Sequence, residues 1–193
     1  VAVERHATSK LGDDNLVRIS TLGFRGEALP SIASVARMRI TSRLTGSEAA
    51  HVLAIEAGRK QPVRPAALSR GTDIEVTDLF FATPARLKFM RADRTETAEA
   101  AEVVRRLAMA NTQTGFSFIT EDRRMVDVPT GETPAARIAR LMGDEFSTNA
   151  LRFEAERDGI RVHGYAGLPT YNRASGQSQY AFVNARPVRD KLL

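Results

Sequence analysis

Residues 37–44, RMRITSRL, set Met38, Ile40 and Leu44 against Arg37, Arg39 and Arg43. Side chains that alternate between apolar and polar fall on opposite faces of an extended chain, so the segment predicts a half-buried strand. HVLAIEAG at 51–58 and TDIEVTDLF at 72–80 predict two more strands, separated by a stretch holding Pro62 and Pro65. The period then lengthens. At 95–110, Ala100, Val103, Val104 and Leu107 lie on one face of a helix. Thr95 is followed three places on by Ala98, which leaves a capping box incomplete, and Thr97 is an alternative cap.

GFSFIT and RMVDV, joined by a charged turn, predict a hairpin, and the Pro, Gly and Thr cluster at 129–134 reads as a linker. Thr133 and Pro134 supply a cap and a first helical residue, and Gly143 supplies the stop. RVHGYAGLP and SQYAFVNARPV are late strands. Nearer the start, residues 13–21 read as a short helix capped by Asp13 or Asp14, with Leu16 and Ile19 inward. A glycine-bracketed turn then runs into a helix whose start is limited by Pro30. There is no internal repeat. Loosely alternating strands and helices predict a mixed α/β or α+β chain.

Composition narrows the chemistry. The chain has 193 residues, 42% hydrophobic and 26% charged, which suits one large domain or one domain and part of another. It has no cysteine, so disulfides and thiolate metal sites are excluded. His6, His51 and His163 are far apart in sequence, which argues against a metal cluster. No apolar run approaches the roughly 20 residues that span a bilayer. The first residues, VAVERHATSK, carry neither an initiating Met nor a signal-peptide pattern, and read as the middle of something longer. The formal charge is +5, and only Lys10, Lys60, Lys88 and Lys191 are lysines. Arginine binds phosphate and carboxylate bidentately, so a polyanionic partner and a solvated arginine-rich surface are both compatible with this balance.

Four segments carry candidate chemistry. In Leu22-Gly23-Phe24-Arg25-Gly26-Glu27-Ala28-Leu29, two glycines bracket a bulky residue and an arginine just before a helix. Unpaired N–H groups at a helix start attract anions, glycine lets backbone approach a phosphate, and Arg25 adds a charge-assisted donor. A plain glycine turn capping a helix has the same spacing. In Arg5-His6-Ala7-Thr8-Ser9-Lys10, two hydroxyls precede an ammonium, a set suited to phosphate oxygens and equally to a helix end. Gly71-Thr72 opens a strand that leads to Phe80 and Phe81 and then to Arg86, Lys88, Arg91 and Arg94, which form either a solvated face or a series of phosphate contacts. Last, Phe182-Val183-Asn184-Ala185-Arg186-Pro187-Val188-Arg189-Asp190-Lys191 is a strand that runs into a basic turn.

In this order, R-H-A-T-S-K, L-G-F-R-G-E-A-L, G-T before a strand, L-F-x-x-x-P-A-R-x-K-F-x-R and V-N-x-R-x-x-R-D resemble the N-terminal region of the MutL family of mismatch-repair ATPases, in the GHKL superfamily. The match runs from His6 to about Lys191. The GFRGEAL and PAR-x-KF strings set it apart from gyrase-like ATPases, chaperones and histidine kinases of that superfamily. The resemblance implies an α/β (α+β) sandwich of GHKL ATPase type over residues 1–128, its distal part, with helices covering a mixed, mostly antiparallel sheet. A transducer domain would begin at 129–193. It further implies that Thr8, Ser9 and Lys10 flank the ATP phosphates and that Gly23, Phe24, Arg25, Gly26 and Glu27 form a lid over them. Gly71 and Thr72 would stand near the adenine pocket, and Arg91 and Lys191 on a DNA-facing surface. ATP and Mg2+ would be the cofactors. Partners would be DNA, a second copy of the chain, mismatch-recognition proteins and downstream repair enzymes, in a bacterial cytoplasm with no membrane attachment. Two other readings remain: a non-enzymatic DNA-binding or assembly module, and another GHKL ATPase.

The same resemblance implies absences. The family's general-base glutamate and Mg2+-binding asparagine lie upstream of the HATSK segment, as does its D-x-G-x-G aspartate. Here no Glu-x-x-x-Asn stands in a suitable helix and no D-x-G-x-G occurs. The family's γ-phosphate lysine would lie beyond Leu193. Ala185 stands where the family usually has Gly, which would strain a turn that needs positive φ. The 193-residue chain alone is therefore expected to show no turnover with ATP and Mg2+, since proton transfer and charge stabilisation are lost together. Turnover that Arg25→Ala abolishes would contradict this.

Overall fold

A computed structural model describes residues 1–10, 23, 25–121, 123–171 and 178–189. The expected helix at 13–21, Phe24 and Lys191 lie outside these. The chain divides into two compact units, Val1–Arg91 and Ala92–Leu193.

The first unit is one helix on one antiparallel sheet. Helix α1 (Ala28–Ala33) leads into β1 (Arg37–Arg43), which pairs on one side with β2 (Ala50–Glu56) and on the other with β5 (Gly71–Thr77). The short β3 (Arg59–Lys60) and β4 (Arg64–Ala66) both pair with β2. Register puts Met38 opposite Ile55 and Val76, and Ile40 opposite Leu53 and Ile74, so one face is apolar. Val3, Ala33, Met38 and Ile55 form the core on that face, with Leu29, Ile40 and Leu53 packed against it. Pro30 is the third residue of α1, where its missing N–H costs no bond. The alternation read at 37–44 holds for Met38 and Ile40 but fails at Leu44, which lies past the strand end and is 78% exposed. After β5, α2 (Pro84–Leu87) is a single turn with Pro at its start.

In the second unit α3 (Asp93–Ala110) packs on the hairpin of β6 (Phe116–Ile119) and β7 (Arg124–Val128). Ala108, Val126 and Val128 are its buried core, joined by Val104, Phe116, Phe118 and Leu141. The helix face differs from expectation. Val104 and Leu107 are partly buried, but Ala100 and Val103 are exposed, and Ala101, Arg106 and Ala108 are buried. Small alanines let the hairpin approach closely, and that shifts the buried stripe by one position. Neither Thr95 nor Thr97 caps the helix. It begins at Asp93 after Ala92, and Asp93 and Glu96 complement the positive end.

Helix α4 (Pro134–Met142) follows, capped as the sequence indicated: Thr133 accepts from the Ala136 N–H at 3.2 Å, and Gly143 closes it. Then come α5 (Asp144–Thr148), the long hairpin of β8 (Ala150–Arg157) and β9 (Ile160–Gly167), and the small hairpin of β10 (Ala181–Val183) and β11 (Arg186–Val188). The sequence reading passed over β8, whose residues ALRFEAER are mostly polar.

The position expected as a boundary, 128/129, lies inside this second unit, and one side chain ties together the segments around it. Arg137 on α4 is wholly buried, at 0% exposure. Its guanidinium donates to the carbonyls of Ala108, Asn111, Thr112, Thr114 and Pro129, and its Nε pairs with Glu132. Ala108 belongs to the last turn of α3, whose carbonyls have no partner within the helix. Asn111 covers another, donating to Leu107 O at 2.8 Å. Segment 129–134 is tied down by the same network: Gly131 N–H donates to Thr112 O at 3.0 Å, and Glu132 also pairs with Arg140 at 2.7 Å.

Removing Arg137 takes a donor from each of those carbonyls and leaves the Glu132 carboxylate with Arg140 alone. Arg137→Met is expected to cost about 3–5 kcal/mol in urea unfolding, as for a broken buried ion pair. Hydrogen bonds from Arg137 and then Arg140 hold the Glu132 carboxyl below its ordinary 4.5. A depressed carboxylate adds stability that is complete above the unfolded value and lost as pH falls through the folded one. Acid unfolding below pH 4.5 is thus expected to lose, in Arg137→Met, the part of its Glu132 component that Arg137 supplies. The β10–β11 turn places Asn184 at φ 49° and Ala185 at φ 63°. Two consecutive left-handed residues make a type I′ hairpin turn, which favours Asn-Gly. The left-handed penalty of about 1–2 kcal/mol at Ala185 exceeds the roughly 0.5–1 kcal/mol entropic cost of glycine. Ala185→Gly is expected to raise stability by about 0.5–1 kcal/mol by the same difference; a loss on urea unfolding would contradict the turn assignment.

Candidate functional site

The first and second sequence motifs meet in the structure. Gly26 sits at φ 63°, and a Cβ placed on it would fall 2.3 Å from Ala7 O, 2.6 Å from Ala7 C and 2.9 Å from Ala7 N. No side chain fits there, so the two backbones touch only because residue 26 is glycine. The contact is extended on both sides. His6 Nδ1 lies 3.3 Å from Glu27 Oε1. Lys10 Nζ lies 3.9 Å from where a Cβ of Gly23 would stand. Within residues 5–10, the Lys10 N–H donates to Thr8 Oγ1 at 3.1 Å, which turns the chain back before Lys10.

Thr8, Lys10, Gly23, Gly26 and Glu27 are thereby gathered in one place. Ser9, Lys10, Arg25 and Glu27 are exposed, and Thr8, Gly23 and Gly26 are half-buried. Glu27 precedes α1 as its N-cap without a side-chain cap bond, so its carboxylate is available to His6. The chemistry on offer is backbone N–H groups without Cβ cover, a hydroxyl and an ammonium. That donor set suits an anion with several oxygens. It does not suit a bare cation. Among the described residues no group of three or more His, Asp or Glu could hold a metal ion.

Gly71 and Thr72 are placed by β1. Gly71 opens β5 at φ 82° opposite Arg43, and Thr72 Oγ1 lies 2.8 Å from Ser42 Oγ. Both are exposed. Arg91 is exposed two residues before α3. The chain's one Glu-x-x-x-Asn spacing, Glu145 to Asn149, ends a short helix. Asn149 Nδ2 donates to the Glu145 carbonyl oxygen at 2.8 Å, closing α5.

Sequence reasoning missed Arg37, which it took only as an outward position of a strand. Arg37 Nε pairs with Glu56 at 3.0 Å, Nη1 pairs with Asp78 at 2.5 Å, and the guanidinium lies 4.6 Å from the Phe81 ring centre. It thereby fixes the turn after β5, where Asp78 and Phe80 take φ 50° and 68°. Those non-glycine left-handed residues carry no sequence signal, and a partner 41 positions away cannot be read from local pattern.

The family described as DNA mismatch repair protein, C-terminal domain, matches residues 138–193. All of this chain aligns at 57% identity over 198 residues with DNA mismatch repair protein MutL of Paramagnetospirillum magneticum, and covers 33% of that protein. MutL of Rhodospirillum rubrum aligns at 56% identity over 100% of this chain and 32% of its own length. Among solved structures, the Aquifex aeolicus MutL ATPase domain complexed with ADP superposes with a TM-score of 0.73 at 28% identity, over 86% of this chain and 63% of that one. The N-terminal domain of a DNA repair protein superposes at 0.77 over 98% of this chain and 60% of that one; at 23% identity it supports the fold alone. The antiparallel sheet, its covering helix and the sequence agreement point the same way. The chain belongs to the MutL family of DNA mismatch repair proteins, has the fold of their GHKL-type ATPase domains, and spans about one third of the length of the curated relatives it matches.

Proposed function

We propose that this chain is the phosphate-closing part of an ATP-dependent mediator of DNA mismatch repair. The observation that carries the reading is the approach of Gly26 to Ala7, which brings the lid segment against the hydroxyl and lysine segment. In this reading the N–H groups of Gly23, Phe24, Arg25, Gly26 and Glu27 wrap the β- and γ-phosphates, and Thr8, Ser9 and Lys10 flank them. Gly71 and Thr72 stand toward the adenine. The ADP complex of the Aquifex aeolicus relative supports nucleotide as the ligand. Mg2+ is the expected companion of ATP, and no residue of this chain is assigned to it.

ATP binding then orders the lid, two chains dimerise, and the dimer engages DNA through Arg91 and Lys191 and signals to repair enzymes in the cytoplasm. Nucleotide acts as a switch because the closed and open states bind it unequally. Residues 1–128 serve as the distal ATPase domain and 129–193 as the start of the transducer.

Two measurements on the full-length protein test this. Lys10→Ala and Gly26→Ala are each expected to weaken a fluorescent non-hydrolysable ATP analogue by about ten- to hundredfold, the size of one charge-assisted hydrogen bond. Unchanged affinity in both variants would rule the assignment out. Titration with duplex DNA at two salt concentrations separates the switch from a plain DNA-binding module. Binding that requires ATP supports the switch; binding that ignores nucleotide and falls steeply with salt supports the module. Arg91→Ala is expected to lower the salt slope by about one unit.

A further inference from the structure

Helix α3 receives two elements that follow it in the chain, and it holds them differently. At its C-terminal end Arg137 of α4 is buried and every guanidinium N–H has an acceptor. In its middle, Tyr180, which opens the β10–β11 hairpin, lies over Arg106, 4.7 Å from guanidinium to ring centre. The Tyr180 hydroxyl donates to Glu102 Oε2 at 3.3 Å, an oxygen that Arg105 Nη1 also approaches at 3.1 Å.

This second anchor is incomplete. Arg106 Nε and Glu102 Oε1 are 2.9 Å apart, within ion-pair range, but are not aligned for a hydrogen bond. These two atoms and Arg106 Nη1 are buried with no hydrogen-bond partner among the described residues. Burial, then the Glu102 charge, pushes the Tyr180 phenol above its ordinary value, so it stays an O–H donor at neutral pH. A buried polar atom without a partner favours any state in which water reaches it. Lifting Tyr180 off α3 hydrates Arg106 and Glu102, whereas lifting Arg137 breaks its bonds to five carbonyls and to Glu132 at once.

We propose that Tyr180 is a releasable catch holding the β10–β11 hairpin on α3, while Arg137 is a fixed pin holding α4 on the same helix. The hairpin then opens locally without disturbing the α3–α4 junction. Opening redirects the basic side chains of Arg186 and Arg189. That consequence for DNA rests on the function proposed above, whereas the catch itself does not.

Amide hydrogen exchange on the full-length protein separates the two. The amides of Ala181–Val183, Arg186 and Val188 are expected to exchange at least about tenfold faster than those of α4. Tyr180→Ala is expected to speed the hairpin by a further factor of about ten, the scale of one partly desolvated cation–π contact, and to leave α4 unchanged. Tyr180→Phe, which keeps the ring over Arg106, is expected to give a smaller change. Equal exchange in hairpin and α4, or Tyr180→Ala speeding both alike, would overturn the catch even if nucleotide and DNA binding behave as proposed.

Discussion

The carbonyl group of Ala7 occupies the space where residue 26 would carry a side chain. Any L-residue at that position would drive a methyl carbon to 2.3 Å from the oxygen, well inside contact distance, and would also have to hold φ 63°. Glycine alone meets both demands. From that contact follow the nearness of Glu27 to His6, the nearness of Gly23 to Lys10, and the entry of the chain into α1, whose Ala33 and Leu29 then pack on the sheet.

The second unit depends on a different constraint. A buried guanidinium carries a desolvation cost of several kcal/mol that only complete hydrogen bonding offsets. Arg137 meets that condition by drawing its acceptors from α3, the 111–115 turn, the end of β7 and Glu132. The same bonds close the C-terminal end of α3, so helix termination and helix docking are one event. Arg106 shows the contrast: it is nearly as buried but only partly satisfied, and it is held by an aromatic ring where Arg137 is held by carbonyls.

Much of the fold could be read locally. Period-two alternation located β1, the β6–β7 hairpin followed from two apolar runs flanking charge, and Thr133-Pro134 with Gly143 bounded α4 to the residue. The motif at Ala185 was legible too: its departure from glycine flagged a turn that does take positive φ. What local pattern missed was set by distant partners. Residues 129–134 have the composition of a linker, yet Arg137 pins them. The stripe on α3 shifted because Ala108 packs with Val126 and Val128 of a hairpin that the helix sequence alone does not specify. In the site, Thr8, Lys10, Gly23, Gly26 and Glu27 were each singled out by chemistry, but only folding showed that they converge. The roles given to Gly71, Thr72 and Arg91 rest on family likeness, because the contacts of Gly71 and Thr72 serve the sheet.

The direct test is a structure of the full-length protein with a non-hydrolysable ATP analogue. The account predicts backbone N–H groups of residues 23–27 about 3 Å from β- and γ-phosphate oxygens, with Lys10 on the same phosphates and the Gly26–Ala7 contact intact. An analogue bound with this segment turned away from its phosphates would contradict it.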